Sequence, residues 1–225
     1  YARASCIAVS VLDENVTGAA IDFAIGKGIP VITFDSDAPN SQRLAYVGAN
    51  NSDFGVKLGE AMKKKAPEGG QYAVITGLGP NLKLRVEGIR HVLKDTKWVE
   101  VKPPLNCYEN STLALELMAD LAEDANIQGI ISVDGWPMDE AEPFKQFYRK
   151  YKDKKTFVIG GQSSTQKALY EEGDVVDELI GPSLFHMGIQ IVEICNKSLG
   201  SLKPLENPIE LLDIEVDYQG WKYMN

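Results

Sequence analysis

The feature that most constrains this chain is an alternation sustained from Ile7 to Leu199. A short apolar run is followed by an amphipathic stretch at helical spacing, and the pair recurs. The predicted strands are Ile7–Val11, Val31–Phe34, Leu44–Val47, Tyr72–Thr76, Trp98–Val101, Gly129–Val133, Phe157–Ile159 and Val176–Ile180. Between them, Asp13 is placed to cap a helix through Gly26, with Val16, Ala19, Ala20 and Phe23 on one face. Further helices are predicted over Asp53–Lys65 (Leu58, Ala61 and Met62 inward), Leu82–Lys94 (Val86, Ile89 and Leu93 apolar), Thr112–Asp124, Asp139–Tyr151, Thr165–Glu172 and Leu184–Leu199. The tail Ile209–Val216 alternates apolar and acidic residues as an edge or crossing strand does. Repeated strand–helix units imply an α/β fold, with doubly wound parallel sheet and helices on both faces.

The 225 residues suffice for one large α/β domain or two small lobes. The net charge of -9 repels phosphate backbones and anionic lipid, so neither nucleic acid nor membrane insertion is expected. No apolar run is long enough to span a bilayer. No secretory signal opens the chain, because Tyr1-Ala2-Arg3-Ala4-Ser5 leads straight into a strand; the expectation is a chain that begins inside a fold. Cys6, Cys107 and Cys195 are far apart and form no CxxC, so partly buried free thiols are expected rather than a zinc site or a disulfide framework. Lys63-Lys64-Lys65 closes a helix, where the dipole favours cations.

In doubly wound sheets, ligands bind beyond the carboxyl ends of the strands. The residues found there are Asp35, Ser36 and Asp37; Gly77, Gly79 and Asn81, with Arg85 one turn on; Asn106, Tyr108 and Glu109; Asp134, Gly135 and Trp136; Gly160 to Ser163, including Gln162; and Gly181, Pro182 and Ser183. Carboxylates, amides, an arginine and two aromatics suit a polyhydroxylated ring, since they can bond its hydroxyls and cover its C–H faces. Each also has a plainer reading. Asp35 could form an Asx turn or a cap, Arg85 a surface ion pair, and Tyr108 and Trp136 ordinary core or rim aromatics. Gln162 and Ser183 could be loop polar groups. Joint placement at strand ends carries the functional reading.

Catalysis is not expected. Gly77-Leu78-Gly79-Pro80 lacks the third glycine and the Lys-Ser/Thr of a phosphate loop. His91 and His186 fall in predicted helices without a nucleophile in register. Asp35, Asp37 and Asp134 do not have the spacing of a recognised metal pattern, and no cofactor is called for.

Several segments, in order, resemble the ribose/galactose-type periplasmic sugar-binding proteins: Ile29-Pro-Val-Ile-Thr-Phe-Asp35, Tyr46-Val-Gly-Ala-Asn-Asn51 with Gly55 and Gly59, Ala73-Val-Ile-Thr-Gly77, Leu84-Arg85-Val-Glu-Gly88-Ile89, Gly129-Ile-Ile-Ser-Val133 and Val158-Ile-Gly-Gly161. The resemblance implies two hinged lobes that close on a sugar. It makes Asp35 an acceptor of sugar hydroxyls and Arg85 a donor, Tyr108 a stacking aromatic, Asp134 a ligand contact and Gln162 the occupant of a second aspartate's position. Pro182 or Ser183 falls near a polar contact beside a hinge. The family often has arginine where Ser36 stands, and Trp136 is unusual and could add a stacking face.

The resemblance further implies a first lobe of residues 1–48 and 183–211, lacking its N-terminal portion, and a second of 49–182 and 212–225. Hinge crossings are expected near Gly48-Ala49, Gly181-Pro182 and Leu211-Leu212. Such a first lobe implies an open sheet edge, weak affinity and self-association. The implied partners are a small sugar and an ABC transporter permease, and the implied location is periplasmic. The effector core of a lac-repressor-type regulator and a receptor's sensing domain share this architecture, so fold does not separate them. A helix-turn-helix, which would mark the regulator, is not in this chain, and the acidic balance counts against it.

Overall fold

A computed structural model describes residues 4–161, 163–173 and 176–200. The predicted tail strand Ile209–Val216, the crossing near Leu211-Leu212 and Gln162 lie outside the described residues. The chain divides into two compact units. Residues 4–50, 79–81 and 183–200 belong to the first, and residues 51–78 and 82–182 to the second.

The first unit holds a parallel sheet in the order β1 (Ile7–Val9), β2 (Val31–Phe34), β3 (Ala45–Val47). Helix α1 (Glu14–Gly26) follows β1, and Asp13 caps it by accepting from the amides of Asn15 and Val16, both at 2.9 Å. Gly28, at φ 81°, turns the chain out of the helix into β2. Ile21 and Ile25 pack with Val11, Val31 and Leu44 on one side of the sheet. The face carrying Val16, Ala19, Ala20 and Phe23 points outward instead, with Val16 and Phe23 about 70% exposed (71% and 69%). Two apolar stripes compete on this helix, and Gly18 lets the other one sit against the sheet side near Ser41.

On the opposite side of that sheet, α7 (Leu184–Ser198) presses Met187 and Ile194 onto Ile32, Ala45 and Val47. Here the cysteine expectation fails: Cys6 and Cys195 form a disulfide, with Cα atoms 5.8 Å apart, and only Cys107 is a free, buried thiol. The two sulfurs meet because this unit draws its chain from both sides of the second, a juxtaposition that a separation of 189 residues does not disclose.

The second unit is built on a parallel sheet in the order β5 (Trp98–Glu100), β4 (Gly70–Thr76), β7 (Ile127–Ser132), β8 (Thr156–Gly160), β9 (Glu178–Ile180). The two-residue strand β6 (Leu105–Asn106) also pairs with β4. Both faces of the sheet are covered, as parallel sheets require. On one face Ile130, Phe157 and Ile159 pack with α4 (Ser111–Glu123) and with the aromatic stripe Phe144, Phe147, Tyr148 and Tyr151 of α5 (Ala141–Tyr151). A 3₁₀ turn, Trp136–Met138, precedes α5, which begins two residues after the predicted start at Asp139. On the other face Gly129 leaves room for Met62 of α2 (Asn51–Lys65).

Helix α3 (Pro80–Leu93) crosses α2 at near backbone contact. A Cβ on Gly55 would lie 2.0 Å from the Arg85 carbonyl oxygen, and one on Gly88 2.3 Å from that of Ser52. This crossing positions Arg85. The short helix α6 (Ser164–Glu171) begins with a Ser163/Gln166 capping box. Among the described residues, no helix is long and apolar enough to cross a membrane.

Candidate functional site

The polar groups fall into two sets, one in each unit, both at the carboxyl ends of parallel strands. In the first unit, β2 runs directly into Asp35. The Ser36 amide donates to the Phe34 carbonyl at 2.6 Å, so Asp35 is the centre of a three-residue turn with φ 58°. A γ-turn with positive φ is rare and strained, costing about 1–3 kcal/mol. The surroundings enforce it. The Asp35 amide donates to Val47 O (3.0 Å), and the Tyr46 hydroxyl lies 2.8 Å from Asp35 O and 3.1 Å from Ala49 O. Gly48 makes this possible, because a Cβ there would come within 2.2 Å of that hydroxyl oxygen. Asn81 donates to Asp35 Oδ2 at 3.4 Å.

Ser36 is buried, and its Oγ has no hydrogen-bond partner among the described residues. A buried hydroxyl without a partner is costly. Asp37, by contrast, is consumed by the fold: it pairs with Arg43 and accepts from the Thr33 hydroxyl and the Ala38 amide. Ser183 caps α7, accepting from the His186 amide at 3.3 Å.

In the second unit the centre is Arg85, fully buried, with its guanidinium 4.2 Å from the Phe54 ring centroid. Its Nε donates to Asn51 Oδ1 (2.8 Å), and one terminal nitrogen donates to both Val133 O and Asp134 Oδ2 (each 3.0 Å). Asp134 accepts from the Gly135 amide through its other oxygen (2.7 Å) and keeps 18% side-chain exposure. The pair therefore fixes one carboxylate at the end of β7. Gly160 belongs to the same arrangement, since a Cβ there would meet Val133 O at 2.5 Å.

Tyr108 is 64% exposed on a loop where it and Glu109 both have positive φ, 53° and 55°. Its amide donates to Asn106 Oδ1 (2.7 Å), and Glu109 Oε1 accepts from the Leu78 amide (3.1 Å). Trp136 is partly buried against the core, with its ring edge beside Gly77, where a Cβ would meet it at 3.0 Å. Behind these stand residues that strand-end reading did not select. Asn51 orients Arg85. Gln166 is buried against Gly135, holds the Ser163 amide (3.0 Å) and donates to Asp139 (2.7 Å). The Asn51/Gly55 segment was a visible signal for the first; the capping box was one for the second.

Among the described residues, no three His, Cys, Asp or Glu side chains gather as a metal site. The arrangement offers fixed acceptors, donors and aromatic surface at strand ends, which is equipment for holding a polar solute.

Fold and strand-end polar groups together define the class: an α/β protein of two parallel-sheet units. The sequence profile of the periplasmic binding protein domain matches residues 2–201, and the chain belongs to that family. Among solved structures it is similar to an ABC transporter solute-binding protein from Burkholderia graminis C4D1M in complex with D-arabinose. That match has a TM-score of 0.82 and 20% identity, over 98% of this chain and 78% of the other. It is also similar to the XylFII molecule (TM-score 0.77, 26% identity, 94% of this chain and 76% of the other). A third is GanP, a glucose-galactose binding protein from Geobacillus stearothermophilus (TM-score 0.78, 22% identity, 97% and 77%). Among curated proteins, no sequence matches the chain.

Proposed function

We propose that the protein is the solute-binding component of an ABC-type sugar uptake system, taking a monosaccharide or similar polyol between two hinged lobes without transforming it. The lobes are those expected above, residues 1–48 with 183–211 and residues 49–182 with 212–225. The observation that carries the reading is the Asp134 carboxylate, fixed by buried Arg85 at a strand end yet still partly exposed. A carboxylate held this way accepts from a hydroxyl without first being ordered, which lowers the cost of binding.

In this reading Asp35 accepts from sugar hydroxyls, Ser36 supplies its unpartnered hydroxyl, Tyr108 and Trp136 cover C–H faces, and Gln162 and Ser183 add polar contacts. Arg85 acts through Asp134. A ligand touching both lobes favours the closed state by its differential contacts. The disulfide supports an extracytoplasmic location, because oxidising compartments are where such bonds persist. Solved relatives described with D-arabinose and D-fucose favour a sugar over other solutes.

A thermal-shift screen of monosaccharides and polyols tests this. A true ligand at a hundred times its Kd stabilises the protein by about 2.7 kcal/mol, and Asp35→Asn and Asp134→Asn should each abolish the shift. A screen in which no sugar or polyol raises the melting temperature, or in which the Asp variants respond like wild type, overturns the reading.

A further inference from the structure

In the second unit, the loops that follow β4, β6, β7 and β8 are tied to one another in sequence by side chains. Glu109, after β6, accepts from the Leu78 amide, after β4, at 3.1 Å. A little further on, Ser111 opens α4, and its hydroxyl donates to Asp139 Oδ2 at 3.0 Å. Asp139 closes the 3₁₀ turn Trp136–Met138 after β7, its amide donating to Trp136 O at 3.2 Å. Its other carboxylate oxygen, Oδ1, accepts from Gln166 Nε2 at 2.7 Å. Gln166 Oε1 in turn accepts from the Ser163 amide at 3.0 Å, where α6 begins after β8. The Asp139 carboxylate therefore bridges the starts of α4 and α6 to the loop after β7.

That loop carries Asp134 and Trp136. The Gln166 amide lies flat on its Gly135: a Cβ there would meet Cδ, Nε2 and Oε1 at 2.2, 2.3 and 2.3 Å. Gly135 has φ -82° and ψ 4°, a turn conformation that most residues adopt, so the amide and not the backbone requires glycine here. The Gly135 amide donates to Asp134 Oδ1 (2.7 Å), and its carbonyl accepts from the Met138 amide (2.9 Å). Gln166 is buried, and Asp139 is exposed at the surface. With its oxygen on Ser163 and its nitrogen on Asp139, the amide is held in one orientation against the loop.

We propose that Asp139 is a positioning residue of the solute site: through Gln166 and Ser111 it holds the Asp134–Trp136 loop in one conformation, and a loop already ordered binds a sugar more tightly. The effect on affinity rests on the sugar-binding reading; the hold on the loop does not. The arrangement works by hydrogen-bond polarity. Facing the Gln166 NH₂ group, position 139 must accept. Asp139→Asn can still accept there, because the Ser111 hydroxyl can turn and accept from the new amide. Gln166→Glu keeps the shape and the bond to Ser163 but sets acceptor against acceptor. Adding Asp139→Asn to it supplies the missing donor.

Hydrogen exchange over residues 134–140 and calorimetric titration with D-arabinose and D-fucose, both at pH 8, test this. Asp139→Ala and Gln166→Glu should each speed exchange in 134–140 and raise the sugar Kd about two- to tenfold, with unchanged circular dichroism. Asp139→Asn should stay within about twofold of wild type, and Asp139→Asn/Gln166→Glu should return to that range, a rescue that lost packing alone does not give. Glu123→Gln weakens a surface bridge to Lys150 at the far end of α4 and should change neither readout. Unaltered exchange in Asp139→Ala and Gln166→Glu overturns the proposal, as does acceleration spread evenly over the second unit. Failure of the double variant to recover overturns it too, and so does a loosened loop that binds either sugar as wild type does. If neither sugar binds wild type, the exchange pattern alone decides the hold on the loop, and the thermal-shift screen decides the sugar-binding reading.

Discussion

Arg85 and Asp134 sit where each would be expensive alone. The guanidinium is wholly out of water, and its donors go to Asn51, the Val133 carbonyl and the Asp134 carboxylate. Removing one member of a buried pair strands the other, so Arg85→Met should cost about 3 kcal/mol in urea unfolding and should weaken sugar binding as well. Tyr72 gives a pH signature. Burial first, then Glu100, pushes its hydroxyl from 10.0 up to about 12. Between these values the folded chain keeps a proton that the unfolded chain has released. Stability therefore falls as pH rises from about 10 toward 12, by up to about 2.5 kcal/mol. Lys155, whose amine burial holds below its usual range, acts in the opposite sense. The check is accordingly a comparison of denaturation at pH 8 and above about 10 for wild type and Tyr72→Phe, where the variant should lose less. Strand-end position offered Asp35, Tyr108 and Asp134 as candidates, with Arg85 one turn into the following helix. Asn51 and Gln166 left only local signals, the Asn51/Gly55 segment and a capping box; what they and Phe54 touch depends on how two helices cross and on which loop a capping residue meets.

At the scale of elements, the α2–α3 crossing is the most sensitive contact. Gly88 meets the Ser52 carbonyl, and Gly55 meets that of Arg85. Gly88→Ala must push the helices apart, and a loss of about 2–3 kcal/mol is expected by chemical denaturation, with helical content retained. Gly26→Ala, where nothing lies within 4 Å, is the control and should be close to neutral. Apolar periodicity located the eight longer strands and all seven helices among the described residues, because burial and period agree there. It missed β6 and the 3₁₀ turn Trp136–Met138, both too short to show a period, and it started α5 two residues early. For α1 it selected the wrong one of two apolar stripes of similar weight, that of Val16, Ala19, Ala20 and Phe23. The choice belongs to the sheet, which accepts Ile21 and Ile25 and leaves Val16 and Phe23 outside.

At the scale of the whole molecule, the first unit is discontinuous and the second is nearly continuous in the chain. The Cys6–Cys195 bond closes a loop of 189 residues, which in the chain-entropy account amounts to about 5 kcal/mol, an upper figure for what it contributes. The double variant Cys6→Ser/Cys195→Ser should speed hydrogen exchange in β1, β2 and β3 while leaving β4, β7 and β8 unchanged; equal acceleration in both sheets would contradict this assignment. No spacing rule could have paired those thiols, since their nearness is a property of the tertiary path. That path also sets a timetable for the chain's birth. Residues 82–182 can collapse into their sheet as soon as they emerge, but β1 must wait, with Cys6 unpaired, until the very last described helix arrives. β1 is thus among the final described parts to mature, and folding without an oxidant would be expected to yield molecules whose second unit is finished while the first is still loose.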